Sequence, residues 1–129
     1  MSVAEELGAA SYVSLASFRR DGREVRTPVW VAEDDGRLYV YTNGRSGKVK
    51  RIRREPRVRL APCDVRGRVH GDWVAARARL CDDPEEARRG FGALRRKYGW
   101  QLRAVLFAAR LGGRYADRAI LAIDPARST

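Results

Sequence analysis

The chain of 129 residues carries two cysteines, one histidine and one methionine. Cys63 and Cys81 have no CxxC partner, and His70 alone completes no set of four ligands, which excludes a structural zinc site. Both thiols read as reduced, half-buried side chains at strand ends. Lysine is also scarce. Lys48, Lys50 and Lys97 are the whole set, and every other cation is arginine. No apolar run is long enough to cross a bilayer, since Ala104–Ala109 lies between Arg103 and Arg110. Residues 1–6 pair no basic segment with an apolar core, so no signal peptide is expected, and cytoplasmic residence follows. HExxH and GxSxG are missing, which removes zinc peptidases and serine hydrolases. Gly44-Arg45-Ser46-Gly47-Lys48 is too short between its glycines for a P-loop, and Val49 stands where a Mg²⁺-binding hydroxyl is required. Gly90-Phe91-Gly92 falls inside a predicted helix and lacks the rest of a dinucleotide fingerprint. With no covalent nucleophile and no proton relay, two classes remain: a binding module, or an enzyme whose cofactor carries the chemistry.

Hydrophobic residues make up 44% of the chain, enough for one modest core, so residues 1–129 are read as a single domain. The net charge of +11 attracts anions: nucleic acid, an anionic membrane face or a multiply charged cofactor. An arginine excess of this kind also follows from G+C-rich coding, so most arginines are assigned to solvated surface. The basic residues are spread over strands and helices without a basic–aromatic motif, so neither nucleic acid nor membrane is an expected partner.

Local signals divide the chain clearly. Ser2–Ala10 reads as a helix opened by a Ser2/Glu5 capping box. Tyr12–Phe18 alternates as a strand, and Asp21-Gly22 turns it into Glu24–Ala32. Pro28 inside that second run demands an edge, a bulge or a place where something other than a strand pairs, because proline donates nothing to a ladder. Arg37–Thr42 is the third strand. Ser46–Glu55 is a helix stopped by Pro56. Arg57–Cys63 and Arg68–Cys81 are strands, the second bent at Gly71. Asp83-Pro84-Glu85-Glu86 opens a helix running towards Lys97, and Trp100–Leu111 continues as another. Tyr115–Ile123 closes the chain as a strand. The expected fold is mainly β: a six-stranded antiparallel split β-barrel with short flanking helices.

Tyr41–Arg51 is the most informative stretch. A β-rich run ends at Asn43-Gly44, and Ser46, Gly47 and Lys48 open the helix that follows. Backbone N–H groups at a helix start lack internal partners and meet the positive end of its dipole, so this junction suits a phosphate. Thr42, Ser46 and Lys48 are the candidate ligands. Trp30, Trp73 and Trp100 read first as core or interface aromatics, and His70 as a strand histidine with its hydrogen bonds satisfied.

These residues resemble a known family. Arg26-Thr27-Pro28-Val29-Trp30, Tyr41-Thr42 with Ser46 and Lys48, and Glu55-Pro56-Arg57-Val58 together look like the pyridoxamine 5'-phosphate oxidase-like split barrel. Leu60–Asp64, Gly67-Arg68-Val69 and Arg96–Gly99 are similar to an actinobacterial branch that depends on the deazaflavin coenzyme F420. The resemblance implies a homodimer with two cofactor sites at its interface. It implies a hydride-transferring oxidoreductase acting on a small organic molecule, with FMN as the alternative cofactor. Thr27, Pro28, Val29 and Trp30 would lie beside the ring, and Thr42, Ser46 and Lys48 would hold the phosphate. Lys50, Arg51 and Arg54 would meet the acidic tail of F420. Arg68 and Tyr98 would reach the cofactor from the second copy. Flavin-binding members carry arginine where this chain has Gly47, which weakens the case for tight FMN binding. No universal catalytic side chain is implied.

Overall fold

A computed structural model describes residues 2–113 and 115–126. Met1, counted above in the N-terminal segment, and Arg127–Thr129, counted in the domain, lie outside the described residues. Helix α1 (Val3–Ala9) opens on the expected capping box, in which Ser2 accepts from the Glu5 N–H and Glu5 accepts from the Ser2 N–H. The strands are β1 (Tyr12–Phe18), β2 (Glu24–Val29), β3 (Val31–Asp34), β4 (Arg37–Asn43), β5 (Arg57–Cys63), β6 (Val74–Leu80) and β7 (Arg118–Pro125). The remaining helices are α2 (Gly47–Arg54), α3 (Pro84–Tyr98) and α4 (Trp100–Leu111), with one 3-10 turn at Tyr115–Asp117.

All strands belong to one antiparallel sheet in the order β2-β1-β5-β6-β7-β4-β3. Its two outer strands, β2 and β3, are separated in the chain by Trp30 alone. A flat sheet cannot satisfy this, because one residue spans less than 4 Å while seven strands lie nearly 5 Å apart. The sheet must therefore curl until its margins meet at Trp30, where they remain unpaired. That is a split barrel, with seven strands instead of the expected six. The extra strand arises because the run 24–32 has strand composition throughout but changes partner in the middle. Val29 pairs with Val13 of β1, and Val31 pairs with Val40 of β4. Pro28 sits on the edge strand β2, as its missing N–H requires.

Val13, Leu15, Leu38, Val40, Leu60, Leu121 and Ile123 fill the barrel. Val49 and Ile52 of α2, and Ala4 and Leu7 of α1, complete that core. Outside, α3 covers β3, β4 and β7 with Gly90, Leu94 and Tyr98, four residues apart on one helical face. Gly90 lets the helix approach this closely, since a Cβ there would come within 2.8 Å of the Tyr39 ring. The glycine pair at 90 and 92 thus lies within a packed helix and not in a nucleotide loop.

Two further expectations change. The run Arg68–Cys81 is a strand only from Val74; before it, Val69 makes a single bridge to Cys63. His70 is therefore exposed outside the strands, with its N–H bonded to the Pro62 carbonyl. The last strand begins at Arg118, after the 3-10 turn. Both cysteines are free. Burial raises the Cys63 thiol, and burial with Glu86 beside it pushes Cys81 up to about 11, so neither is an activated nucleophile. Among the described residues no helix is long and apolar enough to cross a membrane.

Candidate functional site

Where the sheet margins meet, a cleft of about 300 Å³ opens. Thr27, Pro28, Val29 and Trp30 form one wall, and Thr42 and Lys48 belong to the opposite one. Six of the residues singled out by sequence are thus brought together by the topology. Tyr12, Tyr41, Asn43 and Val105 also line the cleft, and sequence reasoning passed over them. Tyr12 and Val105 come from the start of β1 and the middle of α4, far along the chain, and nothing local marks them. Tyr41 and Asn43 flank Thr42 and were legible as its neighbours.

The polar end of the cleft is compact. Lys48 Nζ donates to Thr42 Oγ1 at 3.0 Å, and Thr42 Oγ1 lies 3.4 Å from Ser46 Oγ. Ser46 is the N-cap of α2 and accepts from the Val49 N–H at 3.4 Å. Thr42 is buried, and Lys48 is half-buried. Burial, then the neighbouring Arg51, lower the pKa of Lys48; burial, then Arg19 and Arg54, lower that of Arg51. Cations accumulate here, and the one carboxylate among them, Asp21, is paired with Arg23. Two hydroxyls, an ammonium and a helix N-terminus form an arrangement that complements phosphate.

The apolar end is built around Trp30. Its indole stacks on Tyr98, with centroids 4.7 Å apart and planes 12° from parallel. Tyr98 is buried in its own chain, which corrects the expectation that it reaches the site from a second copy. Burial pushes its phenol up to about 12, so it stays protonated. Trp100, by contrast, is 75% exposed on α4. Trp73 lies between Arg26 and Arg59, each with its guanidinium carbon under 5 Å from the ring centroid.

Other sequence candidates lie elsewhere. Lys50 and Arg51 line an adjoining depression with Arg19, Arg20, Arg23 and Arg54. Arg51 donates to Ser17 Oγ at 2.7 Å, and its Nη1 lies 2.9 Å from where a Cβ on Gly47 would be. The guanidinium thus fills the space beside Gly47. Arg68 is exposed after the Asp64–Gly67 turn and outside the cleft. A larger groove of about 940 Å³ crosses β5 and β6, where Arg57 pairs with Glu55 and Arg59 with Glu24. Of the sequence-predicted site residues only Arg54 lines it, and the smaller cleft is the better site because hydroxyls, an ammonium and an aromatic wall converge there.

Residues 2–129 match the family model described as pyridoxamine 5'-phosphate oxidase. No curated protein matches the chain. Several solved structures share the fold. A conserved hypothetical protein from Mycobacterium tuberculosis is 21% identical over 98% of this chain and 85% of its own, with TM-score 0.67. A protein described as an F420 reductase is 20% identical over 95% and 92%, with TM-score 0.60. HutZ, a heme storage protein from Vibrio cholerae, is 12% identical over 98% and 89%, with TM-score 0.69. At these identities the likeness establishes a common fold and nothing finer.

Proposed function

Because the chain belongs to the pyridoxamine 5'-phosphate oxidase family, which binds flavins, we propose that its cleft holds coenzyme F420 and that the protein is an oxidoreductase acting on a small organic molecule. The observation that carries this reading is the Lys48–Thr42–Ser46 cluster at one end of a cleft walled by Pro28, Val29 and Trp30. When bound, a deazaflavin supplies or accepts a hydride. The protein's share is binding and orientation. Lys48, with the free N–H groups of α2, meets the phosphate. Pro28 leaves the edge of β2 open to a ring, and Trp30 offers it an apolar wall. Lys50, Arg51 and Arg54 in the neighbouring depression suit an acidic tail.

The protein is proposed to act as a homodimer. Trp100, Phe107 and Leu111 are exposed on α4, whose Val105 lines the cleft, and a second copy would cover them. In such a dimer Arg68, which is exposed, would meet the second copy's cofactor. FMN is the alternative, since the hydroxyl–ammonium cluster serves any phosphate.

The test is a titration with F420, FMN and FAD, followed by tryptophan fluorescence. F420 should bind most tightly, and Lys48→Met should weaken it by about 1–3 kcal/mol, the range for a charge-assisted hydrogen bond. Tighter binding of FMN selects the alternative, and no binding of any of the three overturns the reading. Binding without turnover of reduced F420 across organic acceptors would make the protein a carrier.

A further inference from the structure

Trp30 occupies an exposed position in the topology. It is the only residue between strands that leave for opposite margins of the sheet, and it belongs to neither ladder. A residue so placed has no sheet hydrogen bonds of its own to fix it and would be among the first to open locally. Yet its indole forms a wall of the cleft. Something outside the sheet has to hold it.

The C-terminus of α3 does so. Under the indole, Tyr98 supplies the stacked ring. Its hydroxyl accepts from the Val31 N–H at 3.0 Å, the first residue after Trp30, and donates to the Ser11 carbonyl at 2.8 Å. Beside it, Lys97 Nζ donates to the carbonyls of Gly8, Ala10 and Val31 at 2.5–2.6 Å. Two successive residues thus tie the end of α1, the entry to β1 and the entry to β3 to one point. Gly99, at φ 54°, ends α3 immediately afterwards, so the two side chains are delivered at the helix terminus. Tyr98 itself does not line the cleft, so it acts only through Trp30.

We propose that Tyr98 is a positioning residue for the cleft: by stacking on Trp30 and bonding both sides of Val31's neighbourhood, it fixes the indole in the orientation that receives the flat ring of the ligand. The ligand part of this statement rests on the cofactor reading above; the orientation of Trp30 does not.

The experiment uses the full chain with Trp73→Phe and Trp100→Phe, so that Trp30 is the only indole, and compares Tyr98 with Tyr98→Phe and Tyr98→Met. Three quantities are read: thermal midpoint, the NMR signal of the Trp30 indole N–H without ligand, and affinity for F420 and FMN. Tyr98→Met should move the indole signal towards its solvent-exposed value and weaken ligand binding by about tenfold or more, beyond what its stability loss accounts for. Tyr98→Phe keeps the stack but frees the Val31 N–H, so it should restore most of the signal and leave affinity about threefold down. An unmoved indole signal with wild-type affinity in Tyr98→Met, at any thermal midpoint, overturns the proposal. Should Tyr98→Met not fold, Tyr98→Phe decides, because an unchanged signal and unchanged affinity in that variant overturn it equally. If the parent protein binds neither ligand, the cofactor reading fails, while the ligand-free indole signal still settles whether Tyr98 orients Trp30.

Discussion

Two clusters of cations adjoin strand β4, one at Arg37 and Tyr39 and one at Thr42, and differ in what they surround. Around Glu86, Arg37 and Arg79 converge on one carboxylate at 2.7–3.0 Å, and Tyr39 Oη adds a bond at 3.1 Å. Arg79 first, then Arg37, Cys81 and Tyr39, hold that carboxyl down at about 2 against the opposing effect of burial. Around Lys48 the ammonium has hydroxyls for company and no ion pair; burial, then Arg51, lowers it, and burial, then Arg19 and Arg54, lowers Arg51. The first cluster is internally balanced and fastens α3 to β4 and β6. The second carries excess positive charge that the fold alone leaves uncompensated, which is the electrostatic signature of a place for an anion. Charge count does not separate the two; the presence of a counter-charge does.

The largest expected effect breaks the balanced cluster. Glu86→Gln leaves two arginines facing a neutral amide and should cost about 2–3 kcal/mol, discounted for the partial exposure of both guanidinia. Urea denaturation reads this as a lower midpoint at unchanged slope. Acid does the same to the wild type. Because the folded carboxyl titrates near 2 and the unfolded one near 4.5, its contribution is complete above about pH 4.5 and is lost as pH falls towards 2. Glu86→Gln should flatten the stability curve in that window.

A smaller effect probes the unbalanced cluster. Inorganic phosphate should raise the thermal midpoint of the wild type, by about 1.4 kcal/mol of stability at ten times its Kd, and Lys48→Met should abolish the rise. An equal rise in both proteins would place the anion elsewhere. The smallest effect sharpens the contrast. Arg51→Ala removes one bond to Ser17 but also relieves repulsion with Arg19 and Arg54, so stability should stay within about 0.5 kcal/mol of wild type. Loss of a paired arginine such as Arg37 should cost visibly more.

Much of this was legible in the sequence, for identifiable reasons. Strand β1, β5 and the body of β4 fall where alternation and turn residues place them, and α2 and α3 start at Ser46 and Asp83 as their caps dictate. Thr42, Ser46 and Lys48 lie within seven residues, so a local pattern was enough to group them. The break at Trp30 was not legible, because a change of pairing partner leaves no mark in a run where every residue favours strand. Tyr98 reads locally as part of a helix end, and its meeting with Trp30 depends on where α3 lands after sixty-odd residues of intervening chain. Arg51 was legible as a candidate for an acidic tail, but its place against Gly47 was not.

The single-residue spacer between β2 and β3 also constrains how this scaffold can change. With the joint held at one residue, an added residue after Val29 would turn every following side chain of β3 over, sending Val31 out of the barrel and Ala32 into it, against its pairing with β4. A short joint leaves variation in the aperture chiefly to substitutions on its rim, such as at Tyr12, Asn43 or Val105.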